Sequence, residues 1–146
     1  MQGSNRVGGP SGDKQLKLNG LLEEFDDLKR SIRVFKKYSS NDELIDSLRR
    51  DLVVSFAVTV EHVLKYIAFI AKTEFFENCP HSKDSIQFAF RRGWISDERI
   101  WRHLLEVRNL TVHVYSRSMS ASFADKILSG GYYEELERLM DVLSHE

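Results

Sequence analysis

The chain has 146 residues, of which 42% are apolar, 11% aromatic and 29% charged, with 21 bases against 22 acids and one cysteine, Cys79. That length fits a single domain with a substantial core, and the apolar content is too high for a disordered chain. One cysteine excludes an intramolecular disulfide and points to a reducing compartment, and a net charge of −1 argues against bulk electrostatic coating of nucleic acid.

Residues 1–13 (MQGSNRVGGPSGD) are rich in Gly, Ser and Asn and lack periodicity, so they read as a disordered tail or leader preceding a domain over 14–146. They hold no apolar signal core, which makes a cytoplasmic location the expectation. Leu18, Leu21, Leu22, Phe25, Leu28, Ile32 and Phe35 recur at three- and four-residue steps and predict a helix over about 14–38. Ser39-Ser40-Asn41 breaks it, and Asn41 or Asp42 can cap a second, longer helix reaching about Phe76. The middle of that helix, Leu52 to Ile70, is apolar nearly all round, as a helix buried on several sides would be. Glu61, His62 and Lys65 interrupt it, so no membrane span is expected.

Asn78-Cys79-Pro80 closes the second helix, since proline removes a donor and restricts the residue before it. Ser82 is expected to cap a short helix ending near Gly93, and Ser96-Asp97 the next, with Trp101, Leu104, Leu105 and Leu110 as apolar positions. A last helical segment covers about 119–143, with a break at Gly130-Gly131. The sequence therefore predicts an all-α, antiparallel up-and-down bundle of four or five helices.

Charge is uneven. Residues 85–118 carry a net +3 and residues 119–146 a net −4. Inside the basic stretch, Arg108-Asn109-Leu110-Thr111-Val112-His113-Val114-Tyr115 gathers a guanidinium, an amide, an imidazole and a phenol within eight residues. An imidazole can relay protons to and from a ribose or leaving oxygen, and a guanidinium can hold phosphate oxygens in a fork. At about 100° per residue, Asn109 and His113 share a helix face, whereas Arg108 and His113 stand about 140° apart. Convergence on one phosphate would need a deformed helix or a group from a second subunit, which favours a homodimer. Spacing alone leaves a structural or capping histidine as the commoner explanation.

The R-x-x-x-x-H-x-Y pattern, with Phe56, Glu61 and Lys65 in the second helix, Ala89 to Ile95 and Trp101, resembles HEPN-domain proteins. The similarity is to the branch that accompanies minimal nucleotidyltransferases and is named for nucleotidyltransferase substrate binding, and it extends from about Lys14 to Leu143. Ala57 and Leu64 depart from that branch's usual glutamate and tryptophan. The resemblance implies a metal-independent endoribonuclease toxin of a toxin–antitoxin pair. His113 would be its general acid/base, Arg108 the phosphate clamp and Asn109 the orienting amide. Tyr115 would accept AMP from a cognate minimal nucleotidyltransferase that silences it. The alternative is a non-catalytic substrate- or nucleotide-binding subunit of a two-chain nucleotidyltransferase. Neither reading calls for a cofactor or metal, and Cys79 and His81 have no second ligand pair at zinc spacing.

Other residues carry plainer expectations. His62 reads as a satisfied core or interface histidine and His103 as a surface one, while Trp94, Trp101, Phe88 and Phe90 read as core and Tyr132-Tyr133 as a candidate interface.

Overall fold

The computed structural model describes the backbone of residues 10–111 and 116–146 and the side chains of residues 12–106 and 116–146. Six helices follow in order: α1 (Pro10–Tyr38), α2 (Ile45–Phe75), α3 (Ser82–Arg91), α4 (Glu98–Thr111), α5 (Arg117–Ser129) and α6 (Tyr132–Ser144). No strand occurs among the described residues. The described residues thus form six helices where four or five are expected, because the final segment divides at its glycines into α5 and α6.

α1 opens at Pro10, four residues before the expected start. Proline suits a first helical position, where its missing N–H is not needed and its fixed φ is already helical. Leu18, Leu21, Phe25 and Leu28 bury against α2, while Leu22, on the edge of the stripe, stays exposed. Asn41 and Asp42 do not cap α2, whose N-cap is Leu44 with no side-chain bond; the Asn41 side-chain oxygen instead accepts the backbone N–H of Glu43 at 2.9 Å and of Leu44 at 3.2 Å, forming the turn that precedes the helix.

α2 touches α1, α3, α4 and α5 and forms the centre of the bundle. It is long and apolar enough to cross a membrane by length and composition, but 56% of its most apolar window is buried inside the protein. A central bundle helix needs that composition to fill its surroundings. Ala57 and Leu64, the two departures from the related pattern, are both buried, so these positions demand small or apolar packing rather than charge. α2 ends where Phe76 enters the left-handed region at φ 55° and the Ala71 carbonyl accepts the N–H groups of Phe76 and Glu77.

His81, not Ser82, is the N-cap of α3, and the Asp84 carboxylate accepts the His81 backbone N–H at 2.9 Å. At the other end the N–H of Gly93 bonds to Phe90 O and that of Trp94 to Ala89 O, with Gly93 at φ 77°. This is a Schellman closure, and its hydrophobic contact is the edge-to-face pair of Phe88 and Trp94, 5.6 Å between centroids. Asp97 caps α4, accepting the N–H of Arg99 at 3.1 Å.

The α5–α6 corner needs both of its glycines. Gly131 sits at φ 87°, and a β-carbon on Gly130 would lie 2.8 Å from Lys126 O and 2.9 Å from Lys126 Cα, both backbone atoms. Gly130→Ala is therefore expected to lower stability by about 1–3 kcal/mol, read by urea unfolding, because the last turn of α5 must open to admit it.

Candidate functional site

Helix α4 carries the first two candidate residues, and its inward face sets its position. Trp101 is fully buried, and Leu104 lies beside it in the core. The Trp101 indole N–H donates to Glu135 Oε1 of α6 at 3.3 Å, and the Arg138 guanidinium also donates to the Glu135 carboxylate. Glu135 is only 4% exposed, a burial that a carboxylate tolerates only when its oxygens are satisfied.

Two residues after Trp101, His103 is half-buried against the ring of Phe123, with centroids 6.1 Å apart, and its Nδ1 is hydrogen-bonded to the Tyr132 hydroxyl. Burial, with the nearby charges of Asp97 and Glu106, raises the Tyr132 pKa, so the phenol keeps its proton and is suited to donate to the imidazole. The expected surface histidine is thus an inter-helix hydrogen-bonding group. Conversely, His62 lies at the rim, its side chain 47% exposed, and pairs with Glu24 of α1 at 2.6 Å. Tyr132 and Tyr133 serve contacts within the chain: Tyr132 packs on Phe123, and Tyr133 stacks on Phe25 at 5.7 Å. Trp94, Trp101 and Phe88 are core, as expected, whereas Phe90 is 45% exposed. Cys79 is half-buried, and its thiol pKa is raised by burial and by the charges of Glu77 and Asp84, which disfavours a thiolate ligand.

Arg108 and Asn109 fall in the last turn of α4, about 100° apart on its circumference. His113 and Tyr115 lie outside the described residues, as do the side chains of Arg108 and Asn109. The described residues on either side of this stretch lie near α2. Leu105 lines a surface cavity together with Glu61 and Lys65 of α2. Arg117, at the start of α5, reaches Asp46 in the first turn of α2 at 3.5 Å. Ser116 caps α5 by accepting the Met119 N–H at 3.2 Å.

A cationic stretch of α1 escaped the reading of the sequence. Five bases (Lys29, Arg30, Arg33, Lys36 and Lys37) and no acid lie between Asp27 and Asp42, a signal visible in the sequence but masked by the even charge balance of the whole chain.

No curated protein matches the chain. A family model described as nucleotidyltransferase substrate binding protein-like matches residues 23–145, from the middle of α1 to the end of α6. The match covers most of the chain, which therefore belongs to the nucleotidyltransferase substrate binding protein-like family.

Proposed function

We propose that this protein is a non-catalytic substrate-binding subunit that acts in the cytoplasm with a separate nucleotidyltransferase, holding the nucleotide or acceptor that its partner uses. The family match over residues 23–145 carries this reading, and it favours the subunit over the ribonuclease that the motif first suggested. The six helices of the described residues supply a wall of presented side chains, and a small catalytic domain gains the other half of its cleft from such a wall. On this reading Arg108 holds phosphate, with Asn109 orienting the bound group. Purified chain is expected to form a complex with a cognate minimal nucleotidyltransferase and to raise that enzyme's transfer rate. Arg108→Ala should weaken substrate affinity about tenfold or more while leaving the complex intact.

The Arg108-x-x-x-x-His113-x-Tyr115 pattern supports a second reading, a homodimeric HEPN ribonuclease toxin silenced by AMP transfer to Tyr115. There His113→Ala would cost about 10²–10⁴-fold in RNA cleavage, the usual worth of a general acid/base. Intact mass after co-expression would show AMP-sized additions that vanish in Tyr115→Phe. RNA left uncut by the wild-type chain, together with an unmodified Tyr115, rejects this second reading. Failure to bind the nucleotidyltransferase rejects the first.

A further inference from the structure

We propose that the groove between the second half of α1 and the α5–α6 corner, lined by Lys29, Arg33, Lys36 and Tyr133, binds the phosphate of a nucleotide-class ligand. This second phosphate site, separate from Arg108, goes beyond the substrate-binding reading above and rests on it only for the class of ligand.

The charge is placed, not scattered. On a helix, Lys29, Arg33 and Lys36 fall within an arc of about 60° and span about 10 Å along the axis. All three line one cavity of about 300 Å³, at the lower end of the range for small-ligand sites. Arg30 and Lys37, from the same run, do not line it. The bases at the groove are also poorly neutralised. Lys29 reaches Asp26 only at 3.9 Å, and among the described residues neither Arg33 nor Lys36 has a carboxylate within 4.0 Å. Lys17, Lys37, Lys72 and Lys126 likewise have no carboxylate within 4.0 Å among the described residues, so it is the shared cavity, not the missing partners alone, that sets these three bases apart. Glu134 contributes one acid to the wall, which leaves it net positive.

The helix dipole explains only part of this pattern. It favours bases in the last turn, where Lys36 and Lys37 stand, but its effect does not extend back to Lys29 and Arg33. The rest of the wall is apolar or aromatic: Ile32, Ile127, Leu128 and Tyr133. The ring of Tyr133 is backed by Phe25 at an interplanar angle of 6°, and its hydroxyl donates to Glu137 Oε2 at 3.3 Å, so it is held in place. A guanidinium fork and two ammonium groups beside such a floor suit a phosphate joined to a flat, partly apolar body. A free nucleotide and an RNA phosphodiester share this chemistry.

The test measures affinity of the full chain for ATP and, separately, for a short single-stranded RNA, by fluorescence anisotropy and calorimetry. The double variant Arg33→Glu/Lys36→Glu, and its milder form Arg33→Gln/Lys36→Gln, are compared with Arg30→Glu/Lys37→Glu, which changes the same charge outside the groove. The groove variants are expected to lose about tenfold or more in affinity and the control less than about threefold. Loss confined to ATP identifies a free nucleotide as the ligand. Loss confined to RNA, with affinity falling steeply in salt, identifies the strand. Equal losses in groove and control variants, or no binding of either probe by the wild-type chain, overturn the proposal. Complex formation with the nucleotidyltransferase is measured on the same variants. A chain that still forms the complex but binds its ligands independently of Arg33 and Lys36 sinks the groove alone. A chain that loses ATP through the groove variants yet never meets the enzyme sinks the subunit reading alone.

Discussion

Trp101→Ala is expected to remove about 3–5 kcal/mol of stability, a large share of the 5–15 kcal/mol typical of a domain. Two terms combine. The indole is fully buried, so its deletion leaves a cavity between α4 and its neighbours that a close-packed bundle closes only in part. The same deletion removes the N–H that Glu135 accepts at 3.3 Å, leaving a carboxylate that is 4% exposed with Arg138 as its remaining partner. Trp101→Phe separates the terms. It restores most of the volume but no donor, and it should cost about 1–3 kcal/mol. Urea unfolding at neutral pH measures both. A loss below about 1 kcal/mol for Trp101→Ala would mean that α4 does not pack through this residue. Because α4 also carries Arg108 and Asn109, loosening it should weaken ligand binding even where the chain stays folded.

The elements that read correctly from sequence are those whose cause is local. Asn41, Asp97, Gly93 and the Gly130-Gly131 pair each act on backbone within a few residues, so their types and spacing were enough to place the breaks. The start of α3 was misplaced by one residue because His81 is an uncommon cap and the carboxylate that helps it lies three residues later. Contacts distant in sequence were not legible. His103 meets Tyr132 across 29 residues and His62 meets Glu24 across 38, and helical periodicity says which face is buried without saying what it will touch. The Arg108–Tyr115 pattern was legible as a motif, yet its convergence depends on a three-dimensional arrangement that no spacing rule supplies. The basic run on α1 was legible as charge. That three of its five members share one groove became apparent only once α5 and α6 were in place.

Raising the pH from about 10 to about 12 is expected to destabilise the fold through Tyr133, with Tyr66 and Tyr132 acting in the same direction. Tyr133 has its pKa pushed up to about 12 by burial and then by the charge and hydrogen bond of Glu137. Tyr66 is raised by burial and by Glu74, and Tyr132 by burial and by Asp97 and Glu106. In the unfolded chain all three titrate near 10.0, so between the two values the folded protein holds more protons than the unfolded one. Their stabilisation is thus complete below pH 10 and is lost as the pH climbs through the folded values. For Tyr133 the slope stays below the one-proton ceiling of about 1.4 kcal/mol per pH unit, because solvent screens a partly exposed phenol, and Tyr66 and Tyr132 add to it in the same direction. Replacing one phenol at a time isolates each contribution. Tyr133→Phe should flatten the alkaline slope at the cost of its bond to Glu137. Tyr66→Phe should flatten it and also stabilise the neutral protein by about 1 kcal/mol. Its hydroxyl is buried without a hydrogen-bond partner among the described residues, and removing such a group recovers its desolvation penalty. A neutral-pH loss in Tyr66→Phe would show instead that the hydroxyl is satisfied, and an unchanged alkaline slope would show that its proton is not held by burial.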